Sequence, residues 1–266
     1  MQQANAIEFE VRGDGEPVLL VHGAFVADSF LPMMSQPALS HYELIRYRRR
    51  GYGRSAPPSG PSTVEEQAND ARALLEHVGV SQAQVVAHSG GGPIAVQLTV
   101  DSPEMVRSLV LFEPAFQDAA MAAAFNEQLA PLIEMHRAGN SAKAVHLWMR
   151  LVAGSDWRAT LEEHIPGVGD QAIQDAAGTF EYDLEALRHW DFAAVGASRI
   201  GQPVLHIVGS RTAVGRRPVT DMFQAAVPGA KLLTIPDADH TLPMTNPQLA
   251  AEIIDEFLRL HPIQSS

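Results

Sequence analysis

The feature that most constrains this chain is a series of short apolar runs separated by longer amphipathic stretches. Val18–Val21, Val85–Ala87, Val106–Phe112 and Val204–Val208 are too short for helices and mainly apolar. Runs of this kind read as strands buried on both faces, the environment of a parallel sheet covered by helices. Tyr42–Tyr47 and Lys231–Ile235 add two strands, and the alternating Ile7–Arg12 reads as an edge strand. Ser62 and Glu65 have capping-box spacing and open a predicted helix that ends near Gly79. Further helices are predicted from Ser89 to about Val100, over Pro218–Val227 and over Pro247–Leu260. Strands alternating with helices give an α/β fold with a mostly parallel sheet and helices on both faces.

The alternation stops between about Ala115 and Arg199. There Ala, Leu and Met recur at helical spacing, as in Ala119–Arg137 and Ala142–Val152, and no strand is predicted. The segment also holds all three tryptophans, Trp148, Trp157 and Trp190. At 266 residues the chain has room for one or two domains, so this helical stretch reads as an insertion.

Charge and composition exclude several classes. Lys plus Arg number 19 and Asp plus Glu 31, a net charge of −12. That balance argues against a nucleic-acid partner and against electrostatic docking on an anionic membrane. There is no cysteine, so thiolate nucleophiles, disulfides and Cys-ligated zinc are excluded. No His/carboxylate cluster has metal-ligand spacing, and no phosphate-binding Gly-x-Gly-x-x-Gly follows the first buried strand. Neither a metal nor a cofactor is expected. The first residues lack a basic, apolar leader pattern, and no apolar run approaches bilayer length. The expectation is a soluble, cytoplasmic protein.

The richest local signal is Val85-Val86-Ala87-His88-Ser89-Gly90-Gly91-Gly92. It leaves a buried strand, places a serine at the turn and enters a helix. A turn this sharp strains the central residue and demands small neighbours two positions away, here Ala87 and Gly91. It would raise the Ser89 hydroxyl above the sheet, beside helix N–H groups.

Two glycine turns and a late histidine join it: His22-Gly23-Ala24, Arg50-Gly51-Tyr52-Gly53-Arg54-Ser55 and Asp239-His240. Together, in this order from about Val18 to Leu260, they resemble the α/β-hydrolase superfamily. The resemblance implies a core of residues 1–114 and 200–266 with a helical cap at 115–199. It implies Ser89 as nucleophile, His240 as general base, and the N–H groups of Ala24 and Gly90 as oxyanion hole. Chemistry supports the pairing independently, because a serine hydroxyl attacks poorly until an imidazole removes its proton. Of eleven histidines, only His240 lies in the loop directly after the last strand, on the sheet edge where Ser89 is expected. The Arg50–Ser55 turn is read as structural.

Family members usually carry an Asp after the strand Val204–Val208. Here the loop from Gly209 to Thr220 has no carboxylate, and Thr212 stands where the Asp is expected. Glu113, ending Val106–Phe112 and expected to be held extended by Pro114, is the alternative acid. Asp237 and Asp239 are the others. Lactonases of the zearalenone type are similar in pairing Ser with a Glu from this strand. The dehalogenase branch uses Asp as nucleophile, which Ser89 excludes. Phe25, Trp148, Trp157 and Trp190 are candidates for an apolar substrate pocket beneath the cap.

Three readings follow. The first is a serine hydrolase of a small, neutral, largely apolar ester or lactone. The second is a carbon–carbon bond hydrolase or hydroxynitrile lyase on the same scaffold. The third is a non-catalytic small-molecule binder.

Overall fold

The computed structural model of the chain describes residues 1–4, 6–212 and 217–264. Its apolar runs form eight strands: β1 (Gln2–Ala4), β2 (Ile7–Arg12), β3 (Glu16–Val21), β4 (Tyr42–Arg48), β5 (Ala83–His88), β6 (Val106–Phe112), β7 (Val204–Gly209) and β8 (Lys231–Ile235). They make one sheet in the order β1-β2-β4-β3-β5-β6-β7-β8. The pairs β1–β2 and β2–β4 are antiparallel, and every pair from β4 to β8 is parallel. Ile7–Arg12 is therefore not an edge strand, because the short β1 pairs outside it. Two residues of polar sequence before a turn had given no strand signal there.

The helices are α1 (Leu31–Met34), α2 (Val64–His77), α3 (Gly91–Asp101), α4 (Ala119–Arg137), α5 (Ser141–Ala153), α6 (Trp157–Glu162), α7 (Val168–Gln174), α8 (Leu184–His189), α9 (Arg217–Ala226), α10 (Leu242–Thr245) and α11 (Pro247–Arg259). A π-helical turn, Gly178–Asp183, precedes α8. The box that starts α2 is Thr63–Glu66, one residue later than the expected Ser62–Glu65. Thr63 is extended and its hydroxyl accepts the Glu66 N–H, while the Glu66 carboxylate accepts the Thr63 N–H. Ser62 instead accepts from the Gln67 side chain. The sequence holds two overlapping boxes, and the one with the extended N-cap prevails.

Alternate residues of each buried strand feed two layers. Val85, Leu109 and Leu111 pack with Leu75 of α2, Ile94 of α3 and Phe223 of α9. Val86, Val110 and Ile207 pack on the other face with Met33 of α1 and Ile254 and Phe257 of α11. Each fully buried side chain of this size contributes roughly 1.5–3 kcal/mol. From α4 to α8 the inserted segment builds a third cluster around Leu132, Val145, Trp157 and Leu161. Phe25 and Val26, from the loop after β3, and Met244 of α10 belong to that third cluster. Among the described residues no helix is long and apolar enough to cross a membrane.

Candidate active site

Ser89 follows β5 with φ at +51°, in the left-handed region that non-glycine residues rarely occupy. Hydrogen bonds hold it there. Its N–H donates to Phe112 O (2.9 Å), and its carbonyl accepts the N–H groups of Gly92 and Ala115 (2.9 Å each). The helix that follows runs hard against β3. A Cβ on Gly91 would lie 2.3 Å from Val21 O, which is why only glycine fits there.

His240 sits between β8 and α10, and its Nε2 is 3.0 Å from Ser89 Oγ. The carbonyl of His240 accepts a hydrogen bond from His88 Nε2 (2.9 Å), so that nitrogen of His88 carries a proton. The two imidazoles lie 4.8 Å apart. His88 thus fixes the backbone of the residue that faces Ser89.

Glu113 follows β6 and is buried behind His240, with Oε2 3.8 Å from His240 Nδ1, an ion-pair distance longer than a hydrogen bond. Its Oε1 accepts from Gly209 N (2.6 Å) and Thr212 Oγ1 (2.5 Å). Contrary to the expectation from Pro114, Glu113 is not extended: its φ is +47°. The reason lies in its neighbours. Its N–H continues the sheet to Ile207 O, while Ala115 N–H must return to Ser89 O. The chain reverses over that span, and a left-handed residue makes the reversal.

Thr212, standing where the Asp was expected, donates to this carboxylate. Asp239 turns its Oδ1 to the N–H and hydroxyl of Thr241 (2.9 and 2.6 Å). Asp237 donates its N–H to Ser210 Oγ. Asp221 is on α9, as expected. Ala213, Val214, Gly215 and Arg216 of the same loop lie outside the described residues.

Ala24 and Gly90 meet across the turn. A Cβ on Gly90 would lie 3.7 Å from Ala24 N. Phe25, next to Ala24, has φ at +60°, and Val26 N–H closes a three-residue turn on Ala24 O (2.7 Å). The Phe25 ring meets Trp148 at 5.5 Å and Phe180 at 5.2 Å between centroids. The other two tryptophans lie elsewhere. Trp157 is in the insertion's own core, with Nε1 donating to His146 Nδ1. Trp190 packs with the sheet domain against Phe116 and Phe192, and its Nε1 donates to Gln97 on α3. Its aromatic character made it a pocket candidate, but its polar edge satisfies a core glutamine.

His22 is buried and neutral: burial, and then the Arg49 charge, push it well below the ordinary range. Its Nε2 accepts from Arg49 N (3.0 Å), leaving Nδ1–H for Gly23 O (2.7 Å). His206, inside β7, is pushed down to about 4 by burial, with Glu113 opposing.

The model of the alpha/beta hydrolase fold family matches residues 16–247. The chain belongs to that family. Among solved structures, this α/β hydrolase is similar to the enol-lactonase from Burkholderia xenovorans LB400, with TM-score 0.82 and 19% identity over 95% of this chain and 96% of that one. A thermophilic esterase from Thermogutta terrifontis gives TM-score 0.79 and 24% identity, over 96% and 94%. Among curated sequences, the dihydrolipoyllysine-residue acetyltransferase component of the acetoin cleaving system of Pseudomonas putida is 27% identical over 95% of this chain. The chain spans 66% of that relative, and 39% and 35% of two other curated relatives it matches.

Proposed function

We propose that this α/β hydrolase cleaves a carboxylic ester or lactone through an acyl-enzyme on Ser89. The observation that carries the reading is the 3.0 Å contact between Ser89 Oγ and His240 Nε2 at a strained strand-to-helix turn. Glu113 lies buried behind the imidazole, where a carboxylate stabilises the cation formed during attack. The enol-lactonase and esterase of the same fold agree with this choice of substrate class.

In this reading His240 Nε2 takes the hydroxyl proton as Ser89 Oγ bonds to the carbonyl carbon. The carbonyl oxygen becomes an oxyanion and accepts the N–H groups of Ala24 and Gly90. His240 returns the proton to the departing alkoxide, leaving acyl-Ser89. Water, losing a proton to His240, then attacks the acyl carbon, and the carboxylic acid leaves as Ser89 Oγ regains its proton. With a lactone, the alcohol stays tethered to the acyl group throughout, and the last step releases a hydroxy acid.

Residues 115–199 act as a cap over the core formed by 1–114 and 200–266. Phe25 and Trp148 give the site an apolar wall, which suits a small, neutral, largely apolar substrate. The test is a panel of linear esters paired with lactones, with Ser89→Ala as the blank. Ser89→Ala should lose about 10⁴-fold or more in rate, and a fluorophosphonate should label Ser89 covalently. An intact protein that neither takes the probe nor hydrolyses any member of the panel would be a binder instead.

A further inference from the structure

A polar chain runs from the Arg49–Gly53 turn through the insertion to the oxyanion loop. Arg49 and Asp183 form a two-point ion pair, Nη1 to Oδ1 at 2.5 Å and Nη2 to Oδ2 at 2.8 Å. Asp183 Oδ2 also accepts from the Tyr52 hydroxyl (2.5 Å). Tyr52 Oη is 2.8 Å from Thr179 Oγ1, and Thr179 Oγ1 accepts the Phe25 N–H at 3.0 Å. Proton count fixes the direction. The paired carboxylate only accepts, so Tyr52 gives it its proton, and Thr179 must then donate to Tyr52. Every bond points from Phe25 N–H towards the Asp183 charge, an arrangement in which each bond strengthens the next. Burial disfavours the Arg49 cation, but Asp183 and its hydrogen bond more than offset this and hold the pKa above its ordinary value.

The insertion grips Phe25 twice. Thr179 takes its N–H, and the adjacent Phe180 meets its ring. Both belong to the π-helical turn Gly178–Asp183, a geometry that recurs at functional sites. The approach is close. A Cβ on Gly178 would lie 2.8 Å from both Gly51 O and the Tyr52 ring.

Phe25 is the centre of a three-residue turn with positive φ, the rarer and more strained form of such turns. A turn of this kind persists only where its surroundings over-determine it. Val26 N–H holds the carbonyl of the Ala24–Phe25 peptide and Thr179 holds its N–H. With the Phe25 N–H engaged by the insertion, the N–H left for the substrate oxygen is that of Ala24.

We propose that Thr179 is a positioning residue for the oxyanion hole, holding from the cap the turn that aims the Ala24 N–H, with Arg49, Asp183 and Tyr52 as its anchor. The inference rests on the serine-hydrolase reading above. The insertion is then part of the catalytic scaffold as well as a cover.

The experiment measures kcat and KM of wild type, Thr179→Val, Thr179→Ser and Ser89→Ala on p-nitrophenyl acetate, with thermal unfolding of each. Thr179→Val keeps the shape but removes both hydrogen bonds. Its kcat should fall about 10–100-fold, somewhat less than loss of a whole oxyanion donor. KM should stay within about threefold, and Thr179→Ser should recover kcat to within about threefold of wild type. A kcat for Thr179→Val within twofold of wild type, or a change confined to KM, would overturn the proposal. If Thr179→Val does not fold, Tyr52→Phe decides, since it keeps the ring and the threonine but cuts the link to Asp183. Its kcat should drop about three- to tenfold, and an unchanged value overturns the proposal equally. Hydrolysis that needs Ser89 but ignores Thr179 sinks this inference alone. Absence of Ser89-dependent hydrolysis sinks the underlying reading with it.

Discussion

The ends of β6 and β7 lie side by side beneath His240 and serve it in opposite ways. β6 leads directly into Glu113, which presents one carboxylate oxygen towards the imidazole. β7 ends in Gly209 and leads to Thr212, and both donate to the other oxygen of the same carboxylate. One strand supplies charge and its neighbour supplies hydrogen-bond donors. The difference puts the carboxylate nearest the imidazole at the end of β6 and its hydrogen-bond donors at the end of β7. With the charge at the end of β6, the adjacent loop carries a hydroxyl, and that hydroxyl holds the carboxylate.

The comparison breaks most decisively at Glu113. Glu113→Gln keeps size and removes charge, so kcat should fall about 10³–10⁴-fold with folding intact. Moving the charge sharpens the same test: Thr212→Asp in that background should recover about tenfold or more, since the new carboxylate would approach from β7. A Glu113→Gln variant with near-wild-type kcat would return the role of acid to Asp237 or Asp239.

The second effect is on stability. His206 in β7 is pushed down to about 4 by burial, from an ordinary 6.5. Between these values the unfolded chain binds the proton and the folded chain does not, so stability rises with pH there. The contribution is present in full above pH 6.5 and is lost as pH falls through 4. At 1.36 kcal/mol per unit it amounts to about 3 kcal/mol. Urea titrations from pH 7.5 to 4 should show this fall in wild type and a flatter profile in His206→Asn. Parallel profiles would remove His206 as the cause.

The smallest effect belongs to Thr212. Thr212→Val removes one donor to Glu113 while Gly209 N–H remains, so kcat should fall about three- to tenfold, in line with the net contribution of one ordinary hydrogen bond. An unchanged rate would mean that Gly209 alone orients the carboxylate.

Much of this was legible in the sequence. The apolar runs marked β3 and β5 to β7, because strands buried on both faces leave little choice of residue, while β8, at the sheet's edge and mostly exposed, was marked by its Leu and Ile residues alone. Ser89 announced itself through Ala87 and Gly91, small residues required by close backbone approach. The loop after β7 was visibly without a carboxylate, and Glu113 stood out as one at the end of the neighbouring strand, where it lies 3.8 Å from His240 Nδ1. Other features left no such mark. Thr212 became a donor only because Glu113 was brought within 2.5 Å across strands, and one threonine in a loop has no pattern. Arg49 lies in a run of three arginines, and periodicity does not tell which one is buried. Trp190 misled because an aromatic residue in the insertion reads the same whether it faces a ligand or Gln97.

The Arg49–Asp183 pair lies at the seam between the inserted segment and the sheet domain, with side chains 3% and 6% exposed. Removing either partner strands a charge out of reach of water, at a cost of about 3–5 kcal/mol. The insertion is therefore not a cassette to be trimmed or traded for that of a relative at will. A graft meant to widen the substrate range must deliver a carboxylate to Arg49, or the arginine must leave together with the segment it holds. Across this joint the two positions can change only as a pair, which limits how far the inserted segment can diversify while the sheet it rests on stays the same.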